Sequence, residues 1–248
     1  MILIFLIFVT FVAEIIDSSL GMMFGTILSP LLIGLGFDPY FVVPSILVSQ
    51  AIGGIVATYR HNYFKNGDFR KGSEDVKFVI LVSILGVLGV ILGVWFGKSI
   101  SKDILRIYIS ILCIVMGVLV VSKVRFKFGW KTMFGIGFMS SFNKAFSGGG
   151  FGPIVTSSQV ILGRKAKNAI SSTDFAEIPI CIGAFILWIL AKGVPNVGMT
   201  LAMITGASFG AYIGPKLLFL IKNQRKVEII VGILVVLLGI LSLFKIQV

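Results

Sequence analysis

Long apolar runs alternate with short basic segments along the whole chain, and its longest hydrophilic stretch is residues 60–77. A spanning helix needs about 20 apolar residues, because lipid offers backbone amides no partner and a helix satisfies its own. Six runs fit that length: 40–59, 78–97, 104–122, 168–191, 196–220 and 227–244. Charged residues make up 13% of the 248, where a soluble domain carries about 25%. That is too little polar surface to cover a particle in water. Most soluble enzyme classes and any nucleotide-binding fold are excluded, and an all-α integral membrane protein is expected. The net charge of +12 sits between apolar runs, where anionic headgroups account for it better than nucleic acid does. The run 2–13 lacks a basic segment before it and a small-residue cleavage site after it, so a removable signal peptide is not expected.

Two more runs, 2–36 and 132–163, are too long for one crossing and short for two. Glu14, Asp17, Ser18, Ser19, Gly21 and Gly25 interrupt the first. Asn143, Lys144, Ser147, Gly148, Gly149, Gly150, Gly152 and Pro153 interrupt the second. Each is either one kinked span or two short helices that enter and leave on one side. Loop charges separate the alternatives. If every run crosses once, the two sides collect eleven and ten Lys and Arg. If each long run dips in and returns, the loops at 60–77, 123–131, 164–167 and 216–226 share a side, and the count becomes 16 against 5. The positive-inside rule selects the second arrangement. It places both termini outside the cell membrane and makes each half a broken, re-entrant helix pair plus three transmembrane helices. Three is odd, so the halves (1–125 and 126–248) are inverted.

The halves are also alike in sequence. A shift of 127 sets Gly21, Phe24, Gly25 and Gly36 on Gly148, Phe151, Gly152 and Gly163, Ser45 on Ser172, and Gln50 on Glu177. A shift of 117 sets Gly89, Gly93 and Gly97 on Gly206, Gly210 and Gly214. Two inverted repeats of this kind are a transporter architecture. In the duplicated glycine-rich break, written Ser147-Gly148-Gly149-Gly150-Phe151-Gly152-Pro153 in the second half, and in the G-xxx-G-xxx-G run of each third span, the chain resembles the sulfite exporter TauE/SafE family. The first break, Leu20-Gly21-Met22-Met23-Phe24-Gly25, departs from that pattern by lacking the triple glycine. The resemblance implies movement of sulfite, sulfonates or related small anions across the membrane.

Several residues are candidates to do this work. Gly148, Gly149 and Gly150 let the chain turn and would expose amides before a helix starting near Pro153, an anion-binding arrangement; alternatively they only allow close packing. Lys144 lies deep within an apolar run, where a cation needs an anionic partner, and its counterpart at the 127 shift is Asp17. The pair either binds and balances a substrate or forms a structural ion pair. Glu14, Asp17, Asp174 and Glu177 are the acids inside apolar runs and the candidates for proton coupling, Glu177 first among them. Asp174, three residues earlier on the same helix face, is open to a solvated role. Gln50, Ser45, Ser49, Ser147, Ser171, Ser172 and Thr173 offer neutral donors to an oxyanion or bond back to their own helices. His61 reads as a solvated interfacial residue, and Asp38, Asp68, Glu74, Asp75, Asp103 and Glu228 as solvated acids. Trp95, Trp130 and Trp188 mark interfaces or packing, Cys113 and Cys181 small core positions, and the glycine stripes tight helix crossings. One histidine and two distant cysteines favour no metal, no cofactor motif is present, and the absence of a GxxxxGK[ST] loop argues against ATP hydrolysis. The expectation is a secondary transporter with alternating access around a midplane site between the two halves, coupled to protons or sodium or to neither, with its oligomeric state open. An anion channel and a membrane-embedded enzyme are the rivals.

Overall fold

The computed structural model describes residues 1–248 apart from 22, 123–129, 162, 219–223 and 245–248, and side chains except at 130–134, 161, 224–228 and 231. The expected loop charges at 123, 125, 127, 131, 222, 225, 226 and 245, with Trp130 and Glu228, therefore lie outside the described side chains. Among the described residues there are ten helices and no strand: α1 Ile2–Leu20, α2 Phe24–Gly34, α3 Pro39–Tyr63, α4 Glu74–Ser99, α5 Lys102–Ser122, α6 Trp130–Ser147, α7 Phe151–Ile161, α8 Ala166–Lys192, α9 Val197–Leu217 and α10 Gln224–Leu243. Six are long and apolar enough to cross a membrane: α1, α3, α4, α5, α8 and α9. Five of these were expected spans. The sixth, α1, qualifies because its break falls after Leu20 rather than at its acids, leaving 19 helical residues, about 28 Å of rise. Of α10, Gly232–Leu243 is apolar.

Polar caps start the long helices. Asp38 accepts from Tyr40 N at 2.9 Å ahead of α3, Ser73 from Val76 N at 3.2 Å ahead of α4, and Asn196 from Met199 N at 2.9 Å ahead of α9. Each is worth about 1 kcal/mol. Both long runs are helix pairs, α1–α2 and α6–α7. The first turns through Gly21, φ 72, and Met23, φ 106; the second through Gly148 and Gly150, φ 79 and 83. Glycine takes this left-handed backbone without steric cost, and methionine does not.

The glycine stripes bring helices into backbone contact. A Cβ on Gly93 of α4 would lie 2.6 Å from Phe142 O of α6, and one on Gly210 of α9 would lie 2.6 Å from Phe11 O of α1. The main packing groups are α1, α3 and α9 on one side and α4, α6 and α8 on the other, joined where α3 crosses α8; α5 and α10 pack on each other. Each three-helix bundle thus mixes helices from 1–125 and 126–248.

Contacts also sort the helix ends. At one end, Leu3 approaches Gly198, Tyr40 Oη donates to Ile100 O at 2.6 Å, and Lys192 Nζ stands 4.3 Å from the Tyr40 ring. At the opposite end, Arg60 Nε donates to Tyr212 O at 3.0 Å, Lys167 Nζ to Lys65 O at 3.3 Å, and Arg164 pairs with Asp75. Since α1 and α3 both start at the first end, α1–α2 goes in and returns there. The stripe contacts run α6 parallel to α4 from the second end, and α7 leads back to Arg164 at that end.

Candidate functional site

Where the bundles meet, α1, α3, α6 and α8 each contribute one polar side chain. Gln50 of α3 is the hub. Its Nε2 donates to Asp17 Oδ2 at 2.8 Å and to Glu177 Oε2 at 2.7 Å, and its Oε1 accepts from Lys144 Nζ. Lys144 Nζ also lies 3.1 Å from Glu177 Oε1. Asp17 Oδ1 accepts from Phe24 N at 2.9 Å, which caps the start of α2. None of the four is more than 4% exposed. Burying an ammonium is costly unless it is paired and hydrogen-bonded; here Lys144 has a carboxylate and an amide oxygen. Residues related by the 127 shift make related bonds: Asp17 with Gln50, Lys144 with Glu177. Gln50 to Glu177 links one pair to the other.

The two breaks flank this quartet and touch each other. A Cβ on Gly25 would overlap Gly148 O. Ser29 Oγ donates to Ser147 O at 2.7 Å, and Thr156 Oγ1 donates to Gly21 O at 2.6 Å, so each returning helix ties down the other half's break. The expected free amides of the triple glycine are not free. Gly148 N donates to Lys144 O at 2.9 Å, Gly149 N to Ser147 Oγ at 3.2 Å, and Gly150 N to Thr26 Oγ1 at 3.1 Å. Each of these three amides therefore already has an acceptor within the protein.

Around the quartet lie two further acids. Asp174 Oδ2 is 3.0 Å from His61 Nε2. Asn66 Nδ2 stands 2.9 Å from His61 Nδ1 and donates to Pro215 O at 3.2 Å. An amide nitrogen can only donate, so Nδ1 accepts and Nε2 carries the proton to Asp174, making this histidine a neutral donor. Glu14 of α1 lies against Gly53 of α3 and Gly210 of α9. Its Oε2, like Asp174 Oδ1, has no hydrogen-bond partner.

The chain matches the family described as Sulfite exporter TauE/SafE over residues 6–242. It belongs to that family. It is also 24% identical over 204 residues to the probable membrane transporter protein YtnM of Bacillus subtilis (strain 168), a match covering 77% of this chain and 65% of that relative. The chain spans less than two thirds of the relative's length. Family membership and the six span-capable helices together make this a multi-pass helical membrane protein.

Within this family member the remaining candidates fall on either side of the quartet. Ser45 Oγ is 2.8 Å from Thr200 Oγ1, towards the first end. Ser172 donates to Gln159 Oε1 at 2.7 Å, and Thr173 Oγ1 lies 2.9 Å from Thr156 Oγ1 and accepts from Gln159 Nε2 at 3.0 Å, towards the second. Ser49 and Ser171 bond back to α3 and α8. Neither Ser45 nor Ser172 bonds to a quartet side chain.

Three solvated readings are overturned. His61 is 0% exposed, because Asp174 and Asn66 satisfy both ring nitrogens. Asp174 is buried with it. Asp75 is 2% exposed, since it accepts from Asp68 N at 2.7 Å, Asn168 Nδ2 at 3.0 Å and Arg164. Trp188 is packed rather than interfacial, its Nε1 donating to Ala145 O at 2.7 Å, while Trp95 is exposed. Sequence reasoning missed Thr26, Ser29, Thr156, Gln159, Arg164 and Thr200. Carrying the 127 shift further would have paired Ser29 with Thr156; the others had no signal at that level.

Proposed function

We propose that this chain is a secondary transporter of a small anion, of the sulfite or sulfonate class, and that Lys144 binds the anion. The observation that carries the reading is the position of Lys144. Among the described residues it is the one fully buried Lys or Arg, and its partners Gln50 and Glu177 sit on helices of both bundles. An oxyanion can take the place of the Glu177 carboxylate at the ammonium, with Gln50 Nε2 as a second donor. The substrate class rests on the family description and the charge of Lys144.

The two halves act as inverted repeats in this proposal. Matched residues making matched bonds, and hairpins that enter from opposite ends, support it. The packing favours movement between α1–α3–α9 and α4–α6–α8 rather than between the sequence halves, because rocking 1–125 against 126–248 would separate α1 from α9 and α4 from α6. Such movement would open the quartet to each end in turn. Charge supports an orientation: among the described residues nine Lys and Arg lie at the second end (60, 65, 70, 71, 77, 164, 165, 167, 216) and four at the first (98, 102, 106, 192). The second end is then cytoplasmic, and the start of α1 and the end of α10 face outside the cell membrane.

Purified protein in liposomes tests this with labelled sulfite and methanesulfonate. Saturable uptake, counterflow of labelled against unlabelled anion, and loss of both in Lys144→Ala are expected. Wild-type flux undiminished by Lys144→Ala would remove Lys144 from the site, and large unitary currents would replace the carrier with a channel.

A further inference from the structure

The acids around the quartet exceed the cations. Glu14, Asp17, Asp174 and Glu177 are each at most 4% exposed, and against them stands the single ammonium of Lys144, with His61 held as a neutral donor. Four ionised carboxylates and one ammonium at this depth would leave three negative charges uncompensated, which a low-dielectric interior does not tolerate. Further positive charge has to reside on the carboxyls, and the hydrogen bonds show where. Asp17 accepts on both oxygens, from Phe24 N and Gln50. Glu177 accepts on both, from Lys144 and Gln50. Both oxygens of each of those two carboxyls therefore have a partner. Asp174 accepts from His61 on one oxygen only. Glu14 has a buried oxygen with no donor at all, and its neighbours from other elements bring none. From α3 and α9 it meets Gly53 and Gly210; α2 carries no titratable residue. The charged groups facing it are Asp17 of its own helix, Asp174 and Glu177 of α8, and Lys144 of α6.

We infer that Glu14 is a proton-binding site, distinct from the anion site, and that its proton is the coupling ion of transport. A proton needs only one carboxyl oxygen, and Glu14 Oε2 has no other partner. The step is a simple exchange: the carboxyl O–H bond breaks to release the proton to water when one end opens, and re-forms from water when the other does. Gly53 and Gly210 give the site its space. Any side chain at 53 would press on the carboxyl, and one at 210 on its stem. The coupling role rests on the transport reading above, while the protonation of Glu14 does not.

Two measurements separate them. Infrared spectroscopy of the wild type at neutral pH is expected to show the C=O band of a buried protonated carboxyl, lost in Glu14→Gln and shifted in Glu14→Asp. A spectrum unchanged by both substitutions overturns the site whether or not transport is seen. In liposomes with labelled methanesulfonate and sulfite, an imposed pH gradient is expected to drive wild-type uptake above equilibrium. Glu14→Gln is expected to lose that response by tenfold or more while equilibrating anion down its own gradient. A pH response equal to wild type in Glu14→Gln overturns the coupling role. If the wild type moves neither anion, the transport reading fails and the infrared result alone decides protonation.

Discussion

Removing one charge of the Lys144–Glu177 pair gives the most quantitative check on the site. Lys144→Met keeps the side-chain length but deletes the ammonium, leaving Glu177 in a region where neither it nor Gln50 is more than 3% exposed. Breaking a buried ion pair by removing one partner costs about 3–5 kcal/mol. One support survives, the 2.7 Å bond from Gln50 Nε2 to Glu177 Oε2, so the lower end, about 3 kcal/mol, is expected. Glu177→Gln is expected to cost a similar amount, since Lys144 then loses its carboxylate and is left with neutral amide partners. Replacing both charges together removes the uncompensated group, and the double variant is expected within about 1 kcal/mol of wild type. The non-additivity would then be about 5 kcal/mol, far above the few tenths expected of independent sites. Unfolding by dodecyl sulfate in mixed micelles, followed by circular dichroism, measures it. Single variants each within about 1 kcal/mol of wild type and additive in the double would refute the pairing.

Other outcomes follow from particular contacts. Gly25→Ala pushes a methyl into Gly148 O, backbone that cannot swing away, and is expected to cost at least about 1–3 kcal/mol in the same assay. Gly183→Ala, in the interior of α8 with only Val90 Cγ1 at 3.8 Å, is expected to be neutral or stabilising by up to about 1 kcal/mol in thermal unfolding. Arg164→Gln removes one of three donors from buried Asp75 and is expected to raise hydrogen exchange across residues 64–73 while leaving that of α4 beyond its first turn unchanged. Arg70 holds the Asp68 carboxyl at about 2, below its ordinary 3.8. That contact is fully present above the unfolded value and is lost only as pH falls through about 2. Exchange in the same loop, corrected for intrinsic rates, is therefore expected to stay level from about pH 7 to about pH 5.

The fold was largely legible because lipid imposes a length rule on apolar runs, and the two runs that broke it are the two helix pairs. Matching Asp17 to Lys144 and Gln50 to Glu177 by a constant shift picked out all four quartet residues before any geometry. What the shift could not supply was direction. Whether Lys144 faced Asp17 or Glu177, and whether the glycine amides were open, depends on side chains arriving from helices over a hundred residues away, such as Thr26 at Gly150. Loop charges were opaque for a similar reason. Asp75 and Arg164 look solvated one at a time, yet Asp75 is buried and Arg164 half-buried because they meet across 89 residues. His61 hid likewise, since nothing local to it announces Asp174.

In the proposed mechanism an anion and the Glu177 carboxylate compete for the Lys144 ammonium. Calorimetric titration of detergent-purified protein with sulfite and with methanesulfonate tests it directly. Freeing the ammonium in Glu177→Gln is expected to tighten binding about tenfold, or about 1.4 kcal/mol, and Lys144→Met is expected to abolish it. Binding in Lys144→Met as tight as in the wild type would contradict the claim.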